Sequence, residues 1–524
     1  MVNKSLESVR ERINRYEKAK SSKENWRNEL QDAYDYASPI RANWDNSTVG
    51  QRKTNYIFDT TALTSLNKFA NNIQSIMMPP FQQFAKLTPG PEVLNKASKQ
   101  DLEFITRELD IITERLFFYL ERSNFALVVN EAIKDMGIST GIMLLNSPSN
   151  EDPLVFTAIP ADKMVIAGGM HGDISDYWRE IDVPARYIKQ YWPAAKLDKI
   201  LEQTIKNDPD SVFTFVEGTI QYRNNDPQYQ FYHSVILKDT QTEIFGQFQN
   251  MNRWIGFRMD KASNEVLGRG PVLTLLPTIR LANKMKEFEI RSGKMAAFPI
   301  YMAPDTGVVN AYNLVLKPGA IVPYNSRNGQ TPIVPLQSGG SPQYVQLSLS
   351  QLQAEIREGL FSDPLGPVDN QVQSKVEVSI RQNNWLKQNA VSVGRLTTEL
   401  LSQVIEKSVQ ILGQRGLINI PKIDGKFISV EYQSPLVNLQ DQTDFDNLMR
   451  YIQFWQQTAG PQSLPTALNV NELREWVADK LSVDKSLIPT DQQVAMTMQN
   501  AAQLGQQLQK SQQQSQQPQE VAAA

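Results

Sequence analysis

Residues 268–295 read GRGPVLTLLPTIRLANKMKEFEIRSGKM. Apolar residues recur at Val272, Leu275, Ile279, Ala282, Met285 and Phe288, the spacing of a helix with one narrow apolar stripe. Pro271 suits the first turn, where the missing N–H would have had no partner in any case. Pro277 is harder to place, because inside a helix it costs about 3 kcal/mol or bends the rod. From Pro271 to Met295 such a rod spans roughly 35 Å at about 1.5 Å per residue. GRGPVL carries two glycines at phosphate-loop spacing, but Leu273 stands where a third belongs, so the motif is incomplete. On periodicity alone the stretch is a kinked core helix with no chemistry of its own.

The chain on either side changes character. Residues 297–342 contain FPIYMAP, LKPGAIVPY and PIVPLQSGGSP, whose prolines and glycines mark short strands and turns. A second helix, 342–361, follows at once, so two rods flank a small β element. SDPLGPVDNQVQSK at 362–375 is polar and turn-rich and reads as a mobile loop. A long helix, VEVSIRQNNWLKQNAVSVGRLTTELLSQVIEKSVQILGQRG, comes next, closed by Gly413 or Gly416. After the strand GKFISVEY the pattern is helical again, with one stripe at Phe445, Leu448, Ile452 and Trp455 and another at Val494, Met498, Ala501 and Leu508. The Gln-rich end SQQQSQQPQEVAAA has no stripe and reads as disordered.

Upstream, the signal is helical to about residue 145. Asp59 is placed to cap a helix with the stripe Leu63, Leu66, Ala70, Ile73 and Met77, which Pro79-Pro80 stops. A second helix carries Leu102, Ile105, Leu109, Ile112, Leu116 and Leu120, and a third runs from about Phe125 to Met136 and ends at Gly137. From Pro153 to about Gly256 the pattern is β: PLVFTAIP, KMVIAG, FTFVEGTIQY, QFYHSVILKD and TEIFGQFQ, with GGMHGD as a hairpin turn and VPARYIKQYWP as a short helix.

Composition limits the chemistry. The 524 residues include no cysteine, which excludes thiol nucleophiles, disulfides and cysteine-bound metals. Two histidines, His171 and His233, leave little scope for a metal site or a histidine relay, and no cofactor or metal ligand set is expected. They read as a turn histidine and a sheet histidine. A formal net charge of −3 is unlike a tight nucleic-acid binder, whose affinity grows with the phosphates it neutralises. The charged amino terminus MVNKSLESVRERINRYEKAK has no apolar core of a secretory signal, and no apolar run reaches membrane-spanning length. A soluble intracellular protein is the expectation.

One catalytic motif needs weighing. GISTG at 137–141 matches G-x-S-x-G with Ser139 as candidate nucleophile, but that elbow needs a strand before and a helix after. Here the order is reversed, and a Gly-bounded turn between helix and strand is the better reading. No complete phosphate loop exists, so any energy-driven process involving this chain needs a motor supplied by another protein.

Taken together, four blocks resemble the portal, or head-to-tail connector, proteins of short-tailed podovirus-type bacteriophages. They are FDTTALTSLNKFANNIQSIMMPPFQQFAKLTPG, GGMHGDISDYWREIDVPARYIKQYWP, the opening stretch continued to Tyr324, and KVEVSIRQNNWLKQNAVSVGRLTTELLSQVIEKSVQILGQRGLINIP. They occur in the family's order across about residues 50–425. Phe84 stands where the family commonly has tryptophan, Thr278 and Ala282 depart from the third block, and Gln403 replaces a usual proline.

The resemblance implies an α+β, mainly helical portal fold assembled as a ring, usually dodecameric, at one capsid vertex. Its parts would be an N-terminal helical part of the wing at 1–150, a β-rich wing at 151–267, a first stem helix at 268–296, a clip at 297–341 and a second stem helix at 342–361. A tunnel loop at 362–376, a long wing helix and strand at 377–435, a helical crown at 436–510 and a disordered tail at 511–524 would complete it. It places Pro271, Pro277, Arg280, Asn283 and Lys284 on the stem, Pro318, Gly319 and Tyr324 in the clip, and Asn370, Gln371, Gln373 and Lys375 where passing DNA would brush the loop. The implied function is a non-enzymatic channel of the virion, assembled in the host bacterial cytoplasm, that packages and ejects double-stranded DNA without sequence specificity. The implied partners are further copies of itself, the major capsid and scaffolding proteins, the terminase large subunit, tail adaptor or nozzle proteins, and internal core (ejection) proteins. The rivals are another capsid-vertex or tail-adaptor protein, and a serine hydrolase built on Ser139.

Overall fold

The computed structural model describes residues 7–44, 54–90, 93, 98–222, 230–304, 320–324, 334–335, 342–361, 390–419, 422–423, 426–427, 430–432 and 435–460, with isolated positions 468, 473–474 and 476–477. The chain divides into two units, Met1–Tyr432 and Gln433–Ala524. The fold is α+β with antiparallel main sheets.

The first unit begins with α1 (Val9–Glu24), started by a capping box in which Ser8 and Glu11 satisfy each other's backbone amides. Then come α2 (Arg27–Ala37) and α3 (Thr61–Met77). Asp59 stands one residue before the N-cap Thr60 and accepts from the Thr61 amide at 2.8 Å and its hydroxyl at 2.6 Å, satisfying the first amide of α3. Of the expected stripe, Leu66, Ala70, Ile73 and Met77 are buried and Leu63 is half-buried. Strand β1 (Leu87–Pro89) precedes α4 (Lys99–Arg122), whose Ile105, Leu109, Ile112, Leu116 and Leu120 are all buried.

Helix α5 (Phe125–Ile138) corrects one expectation: Gly137 does not end it. A side chain there would meet Leu66 at 2.6 Å and Phe69 at 3.0 Å, so the glycine serves the close approach of α3 and α5. The helical signal to residue 145 is also interrupted, because β2 (Thr140–Asn146) follows directly. It lies between β3 (Val155–Ala158) and β9 (Trp254–Arg258) in a three-stranded sheet.

Strands β4 (Met164–Gly168), β5 (Ile174–Pro184), β6 (Val212–Gln221), β7 (Phe231–Leu237) and β8 (Thr242–Gln249) form a five-stranded meander in sequence order. GGMHGD is the β4–β5 hairpin turn, with Gly172 at φ +78. Alternation along β6 explains why both faces are covered. Phe215 joins a cluster with Ile188, Trp192 and Leu201 from the short helix Ile188–Tyr191 and from α6 (Lys199–Asn207) with its lead-in. Its neighbour Val216 points the other way, into a cluster with Tyr16 of α1 and Trp178.

Polar groups lock α1 onto that second face. Arg12, almost fully buried, pairs with Glu243 at 2.7 Å and lies over the Tyr232 ring. Glu180 accepts from Tyr16, from Lys20 at 2.6 Å and from Lys238 at 3.1 Å. Burial alone would push the Glu180 carboxyl up, but these donors outweigh it and hold it at about 2.

The opening stretch is α7 (Pro271–Ala297), and three short strands follow it: β10 (Tyr301–Pro304), β11 (Ile321–Tyr324) and β12 (Val334–Pro335). Strand β10 lies between a parallel β11 and an antiparallel β12. Helix α8 (Pro342–Gly359) returns, ending two residues before the expected Phe361. Beyond it α9 (Ala390–Leu396) passes through a π-helical segment, Thr397–Leu401, into α10 (Ser402–Gln414). Gly416, at φ +71, closes α10 with the Leu417 amide donating to the Leu412 carbonyl at 2.9 Å, a Schellman pattern. Two short strands, β13 (Lys422–Ile423) and β14 (Lys426–Phe427), pair with each other, and β15 (Val430–Tyr432) pairs with β1.

In the second unit α11 (Pro435–Ala459) carries the stripe Phe445, Leu448, Ile452 and Trp455, all half-buried. The stripe at Val494–Leu508 and the Gln-rich end lie outside the described residues.

Two outcomes follow. Since the folded Glu180 carboxyl titrates below its ordinary 4.5, its contribution is complete above that value and disappears as pH falls toward about 2. Glu180→Gln is therefore expected to lower the melting temperature at pH 7, with the gap to the parent closing below pH 4.5 in thermal melts across pH. Gly416→Ala forces a side chain into the left-handed region and should destabilise by about 1 kcal/mol in denaturant titration.

Candidate functional site

The long helix α7 leaves the body at a junction where backbone meets backbone. The Gly270 amide donates to the Ile138 carbonyl at 3.0 Å, and the Gly268 amide to the Thr140 hydroxyl at 2.8 Å. A side chain on Gly270 would meet the Gly137 carbonyl oxygen at 2.2 Å, and one on Gly268 the Ser139 oxygen at 2.6 Å. The incomplete phosphate motif GRG and the elbow-like GISTG are thus two halves of one close contact. Ser139 is fully buried and its hydroxyl donates to the Gly268 carbonyl at 2.9 Å. That overturns the hydrolase alternative: the hydroxyl is committed to holding the junction and no substrate can reach it.

The histidines are elsewhere. His171 is exposed in the β4–β5 turn. His233 sits in β7 with its ring nitrogen Nδ1 3.0 Å from the Thr219 hydroxyl, and burial lowers its pKa.

Pro271 occupies the first turn of α7 as expected. The helix continues through Pro277, which is exposed in the second turn. Arg280 forms an ion pair with Asp32 of α2. Asn283 is almost wholly buried and clamps the entry to α3. Its Oδ1 accepts from the Phe58 amide at 2.7 Å and the Asp59 amide at 3.1 Å, while Nδ2 donates to the Tyr56 carbonyl at 3.0 Å. Periodicity could not find this residue, because a buried asparagine on an apolar stripe looks like a defect until its three backbone partners are known. Lys284 is exposed and reaches Glu287 at 2.9 Å.

The apolar stripe is not the single line expected. Near the root, Val272, Leu273, Leu276, Ile279 and Ala282 are buried, Leu275 and Met285 are half-buried, and Phe288 is 48% exposed. Helix α8 runs antiparallel to α7: a side chain at Gly359 would meet Leu275 at 2.7 Å, and Glu355 lies 3.4 Å from the Thr278 hydroxyl. Leu349 and Ile356 of α8 are buried.

Farther out α7 loses its cover. Leu281, Phe288 and Met295 repeat every seven residues and so share a face, and all three are exposed, as are Ile290 and Phe298. The ion pairs Lys284–Glu287 and Lys286–Glu289 run along this outer half of the helix. Tyr324 closes β11 beside Pro304. Pro318, Gly319, Asn370, Gln371, Gln373 and Lys375 lie outside the described residues. Among the described residues no cluster of acidic or histidine side chains could hold a metal, and no helix is long and apolar enough to cross a membrane.

No curated protein matches the sequence. Solved structures with a similar chain include the virion of a native gene transfer agent particle, at 9% identity and a TM-score of 0.30, over 72% of this chain and 93% of that one. That likeness is too slight to argue from. The model of the family described as bacteriophage head to tail connecting protein matches residues 10–488, nearly the whole chain. With its elbow serine buried in a structural contact and its longest described helix carrying an exposed apolar face, the chain belongs to that bacteriophage head-to-tail connecting family, a structural component of the phage particle and not an enzyme.

Proposed function

We propose that the chain is the portal subunit: many copies close into a ring, dodecameric in the resembled family, at one capsid vertex, around a channel for double-stranded DNA. The observation that carries this is the outer half of α7. An exposed face of Leu281, Phe288 and Met295 on a rod projecting from the body needs a partner, and identical copies repeated by rotation supply one to every subunit. Contacts of this kind are head-to-tail, so each hairpin of α7 and α8 must bury one side in its own chain and offer others to its neighbours. The helices are then the stem at 268–296 and 342–361, the β10–β12 element belongs to the clip at 297–341, and 362–376 is the tunnel loop. The regions 1–150, 151–267 and 377–435 make the wing, and 436–510 the crown.

A channel must let DNA slide, and many fixed phosphate contacts would act as a brake. The net charge of −3 suits passage better than a basic balance would. Asn370, Gln371, Gln373 and Lys375 would touch the duplex through transient polar contacts that read no bases. Docking of the terminase large subunit, and then of tail adaptors, belongs to the clip end. Capsid, scaffolding and internal core proteins would meet the wing and crown.

Native mass spectrometry of the purified protein is expected to give one closed assembly of many 59.4 kDa subunits. Phe288→Asp combined with Met295→Asp should abolish it while leaving the monomer's melting temperature within a few degrees, since both side chains are exposed in the single chain. Persistence of the assembly in that variant would contradict the role given to this face. Unrelated duplexes should associate equally weakly in mobility-shift assays; a sequence-specific footprint would count against a channel.

A further inference from the structure

Among the described residues, a second helix carries an apolar face with no partner in its own chain. Helix α4 (Lys99–Arg122) buries Ile105, Leu109, Ile112, Leu116 and Leu120 on one side. On the opposite side Phe104 (63% exposed), Ile111 (39%) and Phe118 (59%) repeat every seven residues, a straight ridge about 21 Å long. Such heptad spacing is the seam a second helix packs along. Charged residues border it on both flanks. One flank carries Arg107, Glu114 and Glu121, the other Asp101, Glu108, Arg115 and Arg122. Arg107, Glu108, Glu114, Arg115 and Arg122 make no ion pair within the chain among the described residues, although Arg115 also reaches the Leu417 carbonyl at 3.5 Å.

These charges complement a second copy of the same helix. We infer that α4 packs against α4 of a second copy of this chain, antiparallel about a two-fold axis at Ile111. Such an axis sets Ile111 against itself and Phe104 against Phe118 of the other copy. It also sets Arg107 opposite Glu114, Glu108 opposite Arg115, and Asp101 opposite Arg122, each pairing occurring twice. A same-direction pairing would also match signs, Arg107 to Glu108 and Glu114 to Arg115, but it aligns the helix dipoles, which the antiparallel pair opposes favourably. A same-face contact is isologous and cannot join neighbours around a ring, so this contact is separate from the one made by α7. It joins free subunits, or subunits of two rings face to face, and holds whether or not a ring forms.

The absence of cysteine makes the test direct. Ile111→Cys installs a lone thiol at the axis, and oxidised glutathione should link it into a disulfide dimer of the full chain within bridging distance. Phe104→Cys alone should stay unlinked, because the two copies of that position are about 21 Å apart, whereas an equimolar mixture of Phe104→Cys and Phe118→Cys should link. Arg115→Glu in the Ile111→Cys background should slow linking about tenfold by turning two attractions into repulsions, and adding Glu108→Arg should restore it. Linking of Ile111→Cys no faster than that of Met170→Cys, an exposed hairpin position, would overturn the contact. Self-linking of Phe104→Cys would overturn its orientation. Far-UV circular dichroism and the assembly mass of each variant separate loss of this contact from loss of fold or of the ring.

Discussion

Two strips of main chain meet at Gly137–Thr140 and Gly268–Gly270, joined by one backbone hydrogen bond and by the hydroxyls of Ser139 and Thr140, and the position of the long helix depends on that contact. The oxygens of Gly137 and Ser139 occupy space that any Cβ on Gly270 or Gly268 would need. The same junction joins α5 to β2 and starts α7, so the sheet and both helices share one fixed point. Asn283 adds a second anchor a few turns out, satisfying three backbone groups at the entry to α3. Between these anchors α7 tolerates Pro277, because the root is held by tertiary contacts and not by the helix ladder alone.

Much of this order is legible in the sequence. The 3.6-residue stripes of α3 and α4 and the β-branched runs of the five-stranded meander appear where periodicity places them, because one buried face imposes one period. Gly416 announces the end of α10 through the left-handed geometry that glycine adopts readily. What periodicity missed has physical causes. Gly137 looks like a stop signal but serves a close helix crossing, which no local pattern encodes. Strand β9 is buried throughout and β2 at every residue but Asn146, so they show no alternation. The buried face of α7 mixes Leu273, Leu276 and Asn283 with the expected residues, since a helix flanked by several partners has no single stripe. The outer α7 face and the α4 ridge were written as apolar letters, but only the packed chain separates the letters that are covered from those that are not.

Those exposed faces, one on each of two described helices, carry the two contacts proposed above. In the proposal the α7 face serves a closed assembly by rotation and the α4 ridge a two-fold contact. Assigning them to different symmetries lets one chain make both contacts without competition between them. The buried Ser139 and the sheet-bound His233 fit a molecule whose polar groups serve architecture, in keeping with its membership of a structural phage family.

The central claim is that the α7–α8 hairpins of many copies surround a channel. Electron cryomicroscopy of the purified protein tests it most directly. End-on views should show a closed ring whose inner wall is formed by the paired helices, with an opening wide enough for a DNA duplex. Solitary particles at every concentration, or rings whose helical hairpins point away from the axis, would contradict it.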